Sequence, residues 1–233
     1  MIGLISAMEE EVSRFKEHLR IAKTVRYAMI DFHVGILNGQ KVVLVKSGIG
    51  KVNAAVAAQI LVDRFSVKSV IVSGLAGSLV PTLRRGDVVV SNFVVQYDVD
   101  LTSFGRRTGE IPNIARLLEA DSSLVHIAAE VFEQLDEQEV KNRNLIVGTI
   151  ATGDAFVSNP QKVRWLQREF GAVAAEMEGG AVGQVCSMND VPFIAIRVIS
   201  DSGGGAAADE FLQFLSEASV LTFSIVSKML ARM

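Results

Sequence analysis

The chain has 233 residues, 49% of them hydrophobic and only 4 of them proline, enough for a large core and without a composition break that would mark a linker. Its net charge of −3 argues against nucleic acid or an anionic membrane surface as a partner. The single cysteine, Cys186, excludes an internal disulfide framework, and 3 scattered histidines supply neither a metal site nor a histidine-based triad.

In chain order, residues 1–7 carry no basic leader and run straight into Glu9-Glu10-Glu11, which predicts a strand entering an acidic helix start rather than a signal peptide. No stretch approaches the roughly 18 uninterrupted apolar residues of a membrane span. A cytoplasmic address is expected. Val12, Phe15 and Leu19 recur at helical spacing over 9–19. Short strands are predicted over 24–29, 32–37 and 42–46, with Asn38-Gly39 as the strongest turn signal in the chain. Ser47-Gly48-Ile49-Gly50-Lys51 introduces an alanine-rich helix over 52–65, and a buried strand over 70–73 leads to Gly74-Leu75-Ala76-Gly77. Another strand begins at Gly86-Asp87-Val88. The stretch 101–113 has no period and reads as a functional surface loop. A helix over 122–135, a strand over 145–151 and a helix over 160–170 follow. The closing helix is predicted over 209–230, with Phe211, Leu215, Leu221, Ile225 and Met229 on its apolar side. No repeat of fixed period interrupts this alternation, so one domain spanning 1–233 is expected.

Two stretches carry the chemistry. An apolar run over 172–175 ends in Glu176-Met177-Glu178 before a small-residue helix, and an apolar strand over 192–196 is followed by Arg197 and then by Ser200-Asp201. Ligands of open α/β sheets bind at the carboxyl ends of strands, so Glu178 and Asp201 can meet in a common crevice. For Glu176 and Glu178 the plainer alternative is stabilisation of a helix N-terminus. Gly48-Ile49-Gly50-Lys51 looks like part of a phosphate loop, but that loop needs glycine where Val45 stands and serine or threonine where Val52 stands. Nucleoside triphosphate hydrolysis is thereby discarded. Gly74-Leu75-Ala76-Gly77 predicts a tight turn that lets backbone approach a small ligand. With no histidine in play, proton chemistry falls to Glu11, Glu176, Glu178 and Asp201, with Arg197 near.

These motifs resemble those of the 5′-methylthioadenosine/S-adenosylhomocysteine nucleosidases. The similarity runs through Ile5-Ser6-Ala7-Met8-Glu9-Glu10-Glu11-Val12, Lys46-Ser47-Gly48-Ile49-Gly50-Lys51-Val52, Gly74-Leu75-Ala76-Gly77, Gly153-Asp154-Ala155-Phe156, Glu176-Met177-Glu178 and Ile199-Ser200-Asp201, in the family's order along the whole chain. The resemblance implies an α/β, three-layer nucleoside phosphorylase-like fold, with a central mixed, partly barrel-like sheet flanked by helices, assembled as a homodimer without cofactor or metal. It implies cleavage of an adenine N-glycosidic bond by water. Asp201 would be the general acid toward adenine N7 and Glu11 the group that orients and deprotonates the water, with Arg197 close by. Glu178 would accept from the ribose hydroxyls, with Glu176 beside it. Phe156 would stack on adenine, Val157 would meet the base through its backbone, and Met177 would lie under the ribose. Leu75, Ala76 and Gly77 would line the site, with Met8 and Ile49 near the 5′-substituent. Leu101, Phe104 and Pro112 would reach across the dimer to cover the partner's pocket.

Three departures from the family pattern stand out. Leu75 replaces a serine, Tyr97 replaces a histidine before Asp98-Val99-Asp100, and the segment after Asp201 (Ser202-Gly203-Gly204-Gly205) is short and lacks an aromatic. Mobility of 203–205 that ends on ligand binding is expected from its three glycines. The alternatives left open are hydrolysis of another purine nucleoside, such as a futalosine-type menaquinone precursor, phosphorolysis, and non-catalytic nucleoside binding.

Overall fold

The computed structural model describes residues 1–136, 140, 142–201 and 207–233, with the backbone alone over 207–213. The expected loop over 203–205 and the side chain of Phe211 lie outside the described residues.

Strand β1 (Ile2–Ser6) is buried at every position, as a central parallel strand must be. It leads into helix α1 (Glu9–His18), whose first turn holds Glu9, Glu10 and Glu11, where the helix dipole favours negative charge. Strands β2 (Arg20–Tyr27), β3 (Ile30–Leu37) and β4 (Gln40–Lys46) form an antiparallel meander. Asn38 and Gly39 both have positive φ, 47° and 82°, as the hairpin turn between β3 and β4 requires. The first hairpin corrects the expected strand over 24–29. The chain turns at Ala28 and Met29, which adopt φ of 47° and 65° without the glycine or asparagine that usually signals such a turn.

Helix α2 (Lys51–Phe65), strand β5 (Ser69–Ser78), strand β6 (Val88–Gln96) and the short strand β7 (Leu118–Glu119) follow. Between β6 and β7 the expected loop contains one short turn of helix, Thr102–Phe104. Helix α3 (Ser122–Glu133) and strand β8 (Leu145–Thr152) precede helix α4 (Pro160–Phe170). The start of α4 is locally specified: proline occupies its first turn, and the Asn159 side chain accepts from the Gln161 N–H at 2.7 Å. Strand β9 (Ala172–Glu176), helix α5 (Gly179–Met188), strand β10 (Phe193–Asp201) and helix α6 (Ala207–Leu230) complete the order.

The sheet runs β10-β6-β8-β9-β5-β1-β4-β3-β2, and β10 also pairs with β5. Strands β5, β10, β6, β8 and β9 therefore close into a ring, while β1, β4, β3 and β2 extend from it as an open wing. Parallel and antiparallel pairs are mixed, as in β1–β5 against β5–β9. Alternation along the strands feeds two cores. Leu4, Leu44, Val88, Val90 and Ile196 face the layer of α1, α3 and α6, where Phe15, Leu124, Leu221 and Ile225 are buried. Ile5, Val43, Val45, Val89 and Ala195 face α2 and α5, where Ala54, Ala57, Leu61 and Val182 are buried. The result is helices, mixed sheet and helices in three layers. Among the described residues, no helix is long and apolar enough to cross a membrane.

Candidate active site

A cleft of about 320 Å³ opens where β1, β5, β9 and β10 end together. Its lining includes Met8, Glu11, Ile49, Leu75, Ala76, Gly77, Phe156, Glu176, Met177, Glu178 and Asp201. Val157 lines an adjoining recess with Phe156, Met177 and Asp201. Arg197 does not line the cleft. It lies beneath the floor, only 1% exposed. Leu101, Phe104 and Pro112 are also away from their own chain's cleft, and Phe104 is 81% exposed.

The strands place the acids one by one. Glu11 bends back from α1 to cap its own helix: its Oε2 accepts from the Ala7 and Met8 N–H groups at 2.9 and 3.0 Å. Its Oε1 accepts from the Leu75 N–H at 3.1 Å. Burial nevertheless raises the Glu11 pKa, outweighing nearby Arg197 and these three donors. A carboxylate held in place yet starved of water is a stronger base than one in solution.

Glu176, at the end of β9, accepts from the Glu178 and Gly179 N–H groups at 3.0 and 2.7 Å, so it caps α5. The Thr152 hydroxyl and Arg197 Nη2 also donate to it. The helix-stabilising role weighed for Glu176 from sequence is thus present in the structure, although the side chain still borders the cleft. Glu178 has one donor from across the cleft, the Gly50 N–H at 2.9 Å, and Arg197 Nη2 stands 3.6 Å away. Burial, with Glu176 alongside, pushes the Glu178 carboxyl up to about 7 against the pull of Arg197 and Gly50. For Arg197, burial disfavours the charge, but Glu176, Glu178 and Glu11 together hold its pKa above the usual range.

Asp201 closes β10 and is 1% exposed. Consecutive strand residues normally face opposite ways, yet both Ser200 and Asp201 line the cleft. The register explains it: Ile199 pairs with Ala76 and Asp201 with Gly77, so an extra residue is inserted at Ser200 as a bulge. The Ser200 hydroxyl then donates to Asp201 Oδ2 at 2.8 Å. Sequence reasoning missed Ser200, and its place before Asp201 in the motif was the only available signal. It also missed Thr152 and the Gly50 N–H, which act on Glu176 and Glu178 from other strands and loops.

The expected turn at Gly74-Leu75-Ala76-Gly77 is corrected. All four residues belong to β5, and the glycines serve close approach instead of a turn. A methyl on Gly77 would come 2.9 Å from Asp201 Oδ1, and one on Gly74 would come 2.5 Å from Arg197 Nη1.

This arrangement sets four carboxyl groups and one sunken arginine around an apolar slot. The family model described as the phosphorylase superfamily matches residues 1–231. The 5′-methylthioadenosine/S-adenosylhomocysteine nucleosidase of Geobacillus sp. (strain WCH70) is 42% identical, over 98% of this chain and 98% of the relative. The chain belongs to the 5′-methylthioadenosine/S-adenosylhomocysteine nucleosidase family of the phosphorylase superfamily. The nucleosidase of Colwellia psychrerythraea 34H, solved in complex with adenine, superposes with a TM-score of 0.93 at 40% identity, covering 99% of this chain and 94% of that one. The futalosine hydrolase of Helicobacter pylori strain 26695 also has a TM-score of 0.93, at 33% identity, covering 100% of this chain and 97% of that one.

Proposed function

We propose that this chain hydrolyses the N-glycosidic bond of 5′-methylthioadenosine and S-adenosylhomocysteine, releasing adenine and the 5-thio-substituted ribose. The observation that carries it is the convergence of Glu11, Glu178 and Asp201 on one cleft walled by Phe156, Met177 and Ile49. Bond cleavage at the anomeric carbon develops positive charge on the sugar and negative charge on the leaving base. In this reading Asp201 gives a proton to adenine N7 from its seat beside Gly77 at the end of β10. Glu178 accepts from the ribose hydroxyls. Glu11 orients and deprotonates water, its basicity raised by burial. Phe156 and Met177 cover the base and sugar with apolar surface, which strengthens each of these interactions by excluding water.

Water is favoured over phosphate as the nucleophile by charge. Among the described residues, the cleft lining contains four carboxyl side chains and no lysine or arginine. Arg197 is already shared between Glu176 and Glu178. A phosphate dianion would meet Glu11 with no lysine or arginine in the cleft lining to offset it, and Leu75 offers it no hydroxyl. Non-catalytic binding gives no reason for a buried Glu11 with a raised pKa on the same cleft as Asp201.

The reading includes one domain over 1–233, a cytoplasmic address and a homodimer in which Leu101, Phe104 and Pro112 cover the partner's cleft near Met8 and Ile49. The second reading, a futalosine-type substrate, is favoured by the equal likeness of the fold to the Helicobacter pylori futalosine hydrolase. A panel of purine nucleosides assayed by mass spectrometry separates the two. Methylthioadenosine and S-adenosylhomocysteine should have the highest kcat/KM. A futalosine-type nucleoside turned over faster than both would overturn the first reading.

A further inference from the structure

Helix α2 has Gly50 at its N-cap and no side-chain cap of its own. Its first free N–H groups, which a helix cannot satisfy internally, are divided between two carboxylates from elsewhere in the chain. The Gly50 N–H donates to Glu178 Oε1 at 2.9 Å, and the very next one, of Lys51, donates to Asp154 Oδ1 at 2.8 Å. Asp154 is itself tied down, because its N–H donates to Asp98 Oδ2 at 3.0 Å. The Lys51 ammonium completes the circuit with Asp98 Oδ1 at 2.6 Å. Three loops, those after β4, β6 and β8, are thus pinned together at one edge of the cleft. The pinning acts on both walls, since Ile49 precedes Gly50 and Phe156 lies two residues beyond Asp154. Gly50 has φ of 97°, a conformation that turns its N–H inward to Glu178 and that a side-chain-bearing residue rarely adopts.

We propose that Asp154 is a positioning residue: by holding the Lys51 N–H it fixes the turn over 48–51 so that the adjacent Gly50 N–H meets Glu178 and favours its ionised form. This rests on the reading that Glu178 receives the ribose hydroxyls. The groups that face Glu178 are Arg197 on β10, Glu176 on β9, Glu11 on α1 and the Gly50 N–H at the start of α2. Of these, Arg197 is already engaged by Glu176, so Gly50 is the donor that a loosened turn would remove. The sign of the effect separates positioning from simple charge. Removing the negative Asp154 would lower the Glu178 pKa if Asp154 acted as a nearby charge. Releasing Gly50 raises it.

The test is a carboxyl-carbon NMR titration of Glu178 in the ligand-free protein, where the wild type should titrate at about 7. Asp154→Ala should move the midpoint up by roughly half a unit or more, because a hydrogen bond to the charged form is lost. Amide exchange at Gly50 should quicken, and the acid limb of kcat/KM should move up with the midpoint. Asp100→Asn, a charge deletion in the neighbouring loop, should change none of these. Lys51→Pro supplies a second route, since proline is tolerated in the first turn of a helix and deletes the N–H that Asp154 accepts. It should reproduce the shift, whereas Lys51→Ala, which keeps that N–H, should not. A Glu178 midpoint that stays put or falls in folded Asp154→Ala, or in Lys51→Pro if the first variant does not fold, overturns the proposal. Loss of the nucleosidase reading would instead appear as an inactive wild type, and the ligand-free titration decides the role of Asp154 either way.

Discussion

Gly74 lies directly under Glu11: a methyl group on Gly74 would press on Glu11 Oε1 and come 2.5 Å from Arg197 Nη1. The absent side chain is what lets buried Glu11 and buried Arg197, which lies beneath the cleft, occupy adjacent space. Gly74→Ala should therefore displace Glu11 while leaving the strand intact. Overpacking of this kind costs about 1–3 kcal/mol of stability, whereas misplacement of a reacting group by an ångström costs on the order of 10²-fold in rate. Denaturant unfolding and steady-state kinetics on the same preparation check this. A variant with near-wild-type kcat/KM would show that Glu11 does not need its present seat.

The same glycine marks where the sequence stopped being legible. Apolar runs identified β1, β5, β9 and β10, and short motifs singled out Glu11, Glu178 and Asp201, which the cleft brings together. Gly74-Leu75-Ala76-Gly77 misled, because glycines in a strand that admit a neighbour's side chain look like glycines in a turn. Ala28-Met29 misled in the opposite sense, being a turn built from residues that seldom adopt positive φ. Closure of the ring depends on β10 pairing with β5 and β6, segments more than a hundred residues away, and no local pattern encodes it. The sinking of Arg197 beneath Glu176 and Glu178 follows from that closure.

Asp201 and Glu178 should separate by kinetic behaviour. Asp201→Asn keeps the shape of the side chain but cannot give N7 a full proton, a need that arises only as the bond breaks. General acid catalysis contributes about 10²–10⁴-fold, so the loss should appear in kcat with nucleoside affinity largely spared. If Glu178 receives the ribose hydroxyls, Glu178→Gln loses charge-assisted bonds in the ground state too, and should weaken binding as well as rate. Near-normal kcat in Asp201→Asn, or loss of binding there but not in Glu178→Gln, would mean that the roles are misassigned.

Stability should carry the signature of a buried acid with a raised pKa. Glu178 holds its proton up to about 7 in the folded chain, against 4.5 as the ordinary value. Between those values the native state binds more protons than the unfolded state, so this contribution is fully present below pH 4.5 and lost as pH rises to about 7. The loss is on the order of 3 kcal/mol. Glu178→Gln should abolish it, so wild type should lose stability relative to the variant across that window. Reversible urea unfolding at several pH values measures the difference, and a difference independent of pH would contradict the raised pKa.

Assembly bears on the mouth of the cleft. Phe104, Ile49, Val52 and Met188 are large apolar side chains exposed on one chain. If the loop over 101–112 covers a partner's cleft, a two-fold interface of about 1,200 Å² or more should form. Phe104→Asp should then raise KM and shift light-scattering mass toward the monomer. Wild-type protein that is monomeric at micromolar concentration with full activity would exclude a shared site.

Hydrolysis by water activated at Glu11 is tested most directly by supplying 5′-methylthioadenosine in heavy-oxygen water with an excess of inorganic phosphate. Adenine and free methylthioribose carrying the heavy oxygen at its anomeric position should be the products, at a rate indifferent to phosphate. Methylthioribose 1-phosphate as the main product, with a rate that rises with phosphate, would contradict it.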